Sequence, residues 1–160
     1  MAKKLISVLG ASPKFTLGTW NLNSTSNILE YVKVAADQTA VVIFDIPRDS
    51  LGTGWGRPSI VSVALQYTVG TAALDAAPSV VLNKLTMAAD TKVITRAASA
   101  DTTTVAGTDT TGTAAGTFTV KGAFDTPQVL EDNEYLTAEF TFDCAATTVL
   151  TVRALELEVA

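Results

Sequence analysis

The sequence predicts an all-β fold, a single jelly-roll-like antiparallel β-sandwich of about eight strands with long loops. The first observation is a period of two: the segment IVSVALQYTV (60–69) places an apolar side chain at every second position. The second is an excess of β-branched residues, threonine above all, which favours strands. The third is the lack of a helical period. Ala72–Ala77 has helix-forming residues, but Pro78 limits it to about one turn.

Eight segments have strand character, and turn residues separate them. The chain has 160 residues, of which 48 % are hydrophobic, enough to build one sandwich core. An immunoglobulin-like sandwich is the alternative topology. The predicted strands are, in order, Ile28–Ala35, Thr39–Ile46, Ile60–Val69, Ser79–Thr86, Thr91–Ala97, Thr117–Gly122, Tyr135–Cys144 and Val149–Val159.

The last predicted strand changes phase. Leu150 and Val152 share one parity, whereas Leu155 and Leu157 have the other. A β-bulge near Arg153-Ala154 would direct both sets into the core. The alternative is that the first half of the strand is buried on both faces.

The segments outside the strands are predicted to be irregular. Residues 1–27 show no clean period and are interpreted as an N-terminal arm, which leaves residues 28–160 as the sandwich domain. PRDSLGTGWGRP (47–58) and residues 125–133 are loops by composition. Residues 99–116 are interpreted as a long loop or a loose hairpin end, and deleting Thr102–Thr113 is expected to spare the fold but weaken assembly.

The composition argues against several classes of function. The net charge is −5 and the basic residues are scattered, so a nucleic acid is not an expected partner. No run approaches the ~20 apolar residues of a membrane helix, so a membrane is not an expected partner either. The absence of histidine removes the usual general base and metal ligand. Cys144 is interpreted as a buried structural thiol, and Glu139 with Glu156 as a pair exposed on neighbouring strands. We therefore expect a non-enzymatic protein with no catalytic residue, cofactor or metal.

Two groups of carboxylates are candidate cation sites. The scattered aspartates match no calcium loop. The tight cluster of Glu131, Asp132 and Glu134 is interpreted as a solvated turn, with a cation at a subunit contact as the alternative.

Protein contact is the expected role of the irregular segments. Trp55 lies among glycines and arginines, a combination that anchors interfaces, although it could instead fold back onto the core. The threonine-rich run could extend as a ribbon and pair with a neighbour. The predicted contact residues are Phe15, Trp20, Arg48, Trp55, Arg57, Thr103 and Thr110.

The runs SIVSVALQYTVGTAALDAAPSVVLNKLT (59–86) and YLTAEFTFDCAATTVLTVRALEL (135–157) resemble small virion structural proteins of tailed bacteriophages. Among these, the resemblance implies the capsid decoration or cement proteins. It implies a jelly-roll homotrimer that binds the major capsid protein on the capsid surface after synthesis in the host cytoplasm. It transfers no active site.

A receptor- or carbohydrate-binding module of a phage tail fibre is the alternative function. Jelly rolls commonly present aromatic side chains to sugars, and this chain has few. The alternation places Tyr67 inward, which leaves Trp20, Trp55, Tyr31 and Tyr135 as the candidates.

Overall fold

Twelve β-strands are present in the described parts of the chain. The computed structural model describes residues 2–7, 13–25, 28–34, 38–46, 59–88, 90, 94–98, 102–106, 114–131 and 133–160. The strands are β1 (Ala2–Ser7), β2 (Lys14–Leu17), β3 (Trp20–Thr25), β4 (Ile28–Lys33), β5 (Gln38–Ile46), β6 (Ser59–Val69), β7 (Ser79–Met87), β8 (Ile94–Ala98), β9 (Thr102–Ala106), β10 (Gly116–Val129), β11 (Glu134–Cys144) and β12 (Leu150–Val159).

The strands form two antiparallel sheets packed as a sandwich, which confirms the predicted fold class. The first sheet has seven strands in the order β3-β4-β12-β6-β10-β9, with β1 also paired to β12. The second has five, in the order β2-β5-β11-β7-β8. From β4 to β7 and from β10 to β12, consecutive strands alternate between the sheets, as in a jelly roll.

The core lies between the two sheets and follows the period-two pattern. β11 contributes Phe140 and Phe142, and both are fully buried. Tyr67 points inward as predicted, its ring 5.1 Å from that of Phe142, and burial raises its pKa to about 12. At the start of β6 the alternation breaks, because a register shift opposite Glu158 and Val159 buries Ile60 in place of Val61.

The predicted bulge in β12 is confirmed. The pairing of β12 with β6 shifts between Val152 and Ala154, so that Arg153 and Ala154 together face Gln66. Leu150, Val152, Leu155 and Leu157 are consequently all fully buried. The alternative, in which the first half of β12 is buried on both faces, is wrong, because Thr151 and Arg153 remain partly exposed.

The structure differs from the sequence prediction where strands lie at sheet edges. Three strands, β1 to β3, form within residues 1–27, which the sequence predicts to be irregular. β9 pairs with β10 inside the predicted loop 99–116. Away from the edges, β10 continues to Val129 through a register irregularity, so the predicted loop 125–133 is wrong for residues 125–129. Edge strands pack on one side only, so their side chains carry little of the alternation that identifies a strand. The division of the chain at residue 27 stays a prediction.

Candidate binding face

A shallow depression lies on the outer face of the first sheet, where β6, β10 and β12 run side by side. Its volume is about 160 Å³, and it is lined by Ala64, Gln66, Thr119, Ala154 and Glu156. The strand pairing places Thr119, Gln66 and Ala154 in one row across the sheet, and Ala64 next to Glu156 in the following row. The depression exists because the two alanines are short while the side chains around them are long.

The β12 bulge helps to build this depression. Residues on a regular strand alternate between the two faces, but the extra residue at Arg153-Ala154 lets Ala154 and Glu156 share the outer face while Leu155 points inward. Without the extra residue, Arg153 would stand opposite Gln66 in place of the alanine.

Hydrogen-bonded side chains border the depression on two sides. On one side the hydroxyl oxygens of Thr68 and Thr117 lie 2.9 Å apart. On the other, Lys121 Nζ lies 2.9 Å from Glu158 Oε2, and the Ser62 hydroxyl donates to the same oxygen at 3.0 Å. These contacts fix the rotamers of the border residues, so the depression is held open by groups that are already oriented.

A third polar group extends the face toward the sheet edge. Arg153 Nε donates to Glu30 Oε2 at 3.0 Å, and Asn23 Nδ2 donates to the other oxygen of this carboxylate at 3.4 Å. Polar groups therefore run across the outer face from β3 to β10. The arrangement suits a ligand that is flat, extended and rich in hydrogen-bonding groups.

Two predicted contact residues meet in an aromatic cluster. The rings of Phe15 and Trp20 are stacked with centroids 4.7 Å apart, and Tyr31 lies 4.7 Å from Phe15 in a tilted contact. The cluster closes the side of the sandwich where β2 ends and β3 begins. Gly18 permits this tight crossover, because its φ of +87° is strained for other residues. All three rings are partly buried against the core.

Of the other predicted contact residues, only Thr103 lies within the described ranges. Thr103 lies on β9 opposite Ala123 of β10, so its part of the chain is an edge strand. Arg48, Trp55, Arg57 and Thr110 lie outside the described residues. A contact role for all seven residues stays a prediction.

The side chains that the sequence offers for chemistry are dispersed. Glu156 lies on β12 of the first sheet and Glu139 on β11 of the second, and both point outward, so they occupy opposite faces of the sandwich. The expectation that they lie on paired strands is wrong. Cys144 is fully buried, and this burial raises the pKa of its thiol. A structural thiol remains its interpretation.

In the predicted acidic cluster, Asp132 lies outside the described residues, and Glu134 is paired with a lysine. Burial raises the pKa of Glu134, but hydrogen bonds from Lys84 and the backbone N–H of Glu131, with the charge of Lys84, outweigh this and lower it below its usual range. Lys84 Nζ lies 2.8 Å from the carboxylate. Among the described residues, no three acidic, cysteine or histidine side chains are grouped to hold a metal ion. Within the same residues there is no helix long and apolar enough to cross a membrane.

The depression cannot be predicted from the sequence alone. Its five lining residues come from three strands that are distant in sequence, and two of them are alanines, which carry no chemical signal. The bulge was the available clue, since it predicts that Ala154 and Glu156 share the outer face. Finding Gln66 and Thr119 beside them also requires the strand order.

Comparisons with known proteins extend to the fold only. No protein-family model matches the chain, and no curated protein sequence does. Similar solved structures include a family two carbohydrate esterase from Cellvibrio japonicus, with 9 % identity over 99 % of this chain and a TM-score of 0.47. The xylan-binding module CBM86 from Roseburia intestinalis is 10 % identical over 100 % of this chain and 97 % of its own, with a TM-score of 0.38. TmCBM61, solved with β-1,4-galactotriose, is 6 % identical over 99 % of this chain and 88 % of its own, with a TM-score of 0.41.

These structures share a coarse likeness with the chain. The chain spans 34 % of the length of the Cellvibrio esterase. That the chain is a β-sandwich is shown by its own two antiparallel sheets. The predicted kinship with phage decoration proteins is supported by no family match and stays a prediction.

Proposed function

We propose that the protein is a non-enzymatic binding module that holds a polysaccharide chain on the outer face of its first sheet. The observation that carries the proposal is the depression lined by Ala64, Gln66, Thr119, Ala154 and Glu156. Its two alanines are the shortest of the lining side chains, and its polar groups lie beside them.

The chemistry of the lining suits hydroxyl groups. The Gln66 amide and the Thr119 hydroxyl each donate and accept hydrogen bonds, as sugar hydroxyls do, and Glu156 is an acceptor. The depression is shallow and bordered on two sides, which favours the interior of a chain over its end. Lys121 is ion-paired with Glu158 on one border, so its ammonium group is already engaged by a carboxylate, which favours a neutral polysaccharide over an acidic one.

The affinity should be modest. A net hydrogen bond contributes about 0.5–1.5 kcal/mol, so three of them give binding in the millimolar range at best. No aromatic ring lines the depression, so stacking contributes nothing to this estimate. Removing one of the three side chains should weaken binding about two- to tenfold.

The test is a titration of the labelled full chain with soluble neutral polysaccharides, followed by amide NMR. We expect shifts on β6, β10 and β12, and weaker binding in Gln66→Ala and Thr119→Ala. Thr141→Ala is the matched control, because this partly exposed threonine lies on β11 in the outer face of the second sheet. Binding that ignores the first two substitutions, or shifts confined to other strands, would contradict the proposal.

A capsid decoration role is the second candidate, and the aromatic cluster is the observation that favours it. Phe15, Trp20 and Tyr31 lie beside two leucines, Leu17 and Leu22, that are more than half exposed. Exposed apolar groups of this kind often mark protein contacts. Antibody labelling of purified virions in negative stain tests this role, and a bare capsid surface would eliminate it.

A further inference from the structure

We propose that two copies of this chain associate by pairing their β3 strands edge to edge, with Leu22 of each copy on the two-fold axis. β3 is the last strand of the first sheet: on its other side, no strand in the described ranges pairs with it. Its sequence, WNLNST, has no charged residue and no proline. Edges are commonly protected by such residues, so this edge lacks the usual barriers to pairing.

The backbone groups of β3 that point away from β4 can be assigned from the pairing of the two strands. The Val34 N–H donates to the Thr19 carbonyl at 3.1 Å, and the register places Trp20 opposite Lys33. Hydrogen-bonded pairs alternate along an antiparallel ladder. Trp20, Leu22 and Ser24 therefore direct their backbone N–H and C=O groups away from β4, toward the open edge.

These three residues form a self-complementary edge. In an antiparallel pair with a second copy, Leu22 faces Leu22 and Trp20 faces Ser24, so that all three residues exchange about six backbone hydrogen bonds. A register centred on Asn21 or Asn23 leaves one of the three outward-facing residues unpaired, so only about four backbone hydrogen bonds form. Shifting the pairing by an odd number of residues would join the core face of one copy to the outer face of the other. The register centred on Leu22 is thus the best satisfied.

The side chains fit the same register. Leu22 is 56 % exposed, the most exposed large apolar side chain among the described residues, and its counterpart would cover it. The large indole of Trp20 would stand opposite the small Ser24. A strand paired with itself about a two-fold axis makes an isologous contact, which closes as a dimer. A second copy therefore fits this edge better than an unrelated strand.

The experiment is sedimentation equilibrium of the full chain and its variants over a wide concentration range. We expect a dimer for the native protein and association at least about tenfold weaker for Ser24→Pro. The proline removes an outward N–H but none of the bonds to β4. Leu22→Lys and Leu22→Glu should each weaken association as well, because like charges would face each other.

Mixing the last two variants identifies the register. Because position 22 faces itself, the lysine and glutamate variants should form a mixed dimer where neither dimerises alone. Val81→Lys is the matched control, since Val81 is also exposed but lies in the second sheet. Thermal unfolding confirms that each variant is folded. A native monomer at about 0.5 mM, which implies a Kd in the millimolar range, overturns the proposal. A dimer or trimer that persists in Leu22→Lys also overturns it. The same holds if the mixture of the lysine and glutamate variants stays monomeric.

Discussion

Deleting Ala154 should leave the fold intact, although this residue lies in a strand between two partners. The residue is half of the β12 bulge that faces Gln66. Without it, Arg153 pairs with Gln66 alone, and Leu155 still pairs with Leu65 in the core. The bulge becomes a regular strand, and only the terminal pair of Ala154 with Ser7 of β1 is lost. We expect a stability change within about 1 kcal/mol.

Deleting Glu156, two residues later, is the matched control and should be severe. If the bulge is kept, Leu157 turns outward. If the bulge is removed to compensate, Leu155 turns outward instead. Both leucines are fully buried, and losing one from a core costs about 2–5 kcal/mol. That is a large part of a typical domain's stability of about 5–15 kcal/mol.

Urea unfolding followed by circular dichroism measures both variants. With a slope of about 1–3 kcal/mol per molar urea, the Glu156 deletion should lower the midpoint by about 1 M or more, and the Ala154 deletion by much less. The Ala154 deletion should also lose polysaccharide binding, because Arg153 then occupies the floor of the depression. Equal losses of stability in the two variants would refute the reasoning that the bulge directs the apolar residues on both sides of it, in both halves of β12, into the core.

Three further predictions follow from packing and charge. Gly122→Ala places a methyl group 3.0 Å from Val80 Cγ1 and should cost about 1–3 kcal/mol in urea unfolding; Val80→Ala in the same chain should recover part of this loss, and simple additivity would contradict the contact. Cys144 should react with a thiol reagent only as fast as the protein unfolds, so rapid labelling of the native state would show that it is accessible. Because the folded pKa of Glu134 is lowered, its ion pair with Lys84 stabilises the fold above the usual carboxyl pKa of 4.5 and is lost as pH falls below it. Glu134→Gln should remove that acid dependence, an effect within about 1 kcal/mol, and an unchanged pH profile would argue against it.

The strands that the sequence predicts best are those that lie inside the sheets. β6 and β11 each have two strand neighbours and a buried face, so their apolar residues alternate clearly. The phase change in β12 predicted its bulge for the same reason, because four buried side chains had to reach one core. Alternation is strong wherever one face of a strand is forced against a core.

The edge strands and the binding face could not be predicted in this way. β3 reads WNLNST: Trp20 packs against the core, but the single leucine is exposed, so one core contact is too little to produce an alternating pattern. The depression depends on which strands are neighbours: β6, β10 and β12 meet although β6 and β12 are far apart in the chain. Strand order is set by long-range packing, and a period-two pattern holds no information about it.

The position of β6 has a consequence for synthesis and refolding. This eleven-residue strand lies between β10 and β12, and both follow it in the chain. Until those strands are made, β6 has neither of its sheet neighbours, and its apolar face is open to other chains. Long-range pairing of this kind slows folding and exposes intermediates to aggregation. Refolding yield should therefore depend strongly on protein concentration, and a nascent chain stalled before β10 should require a chaperone.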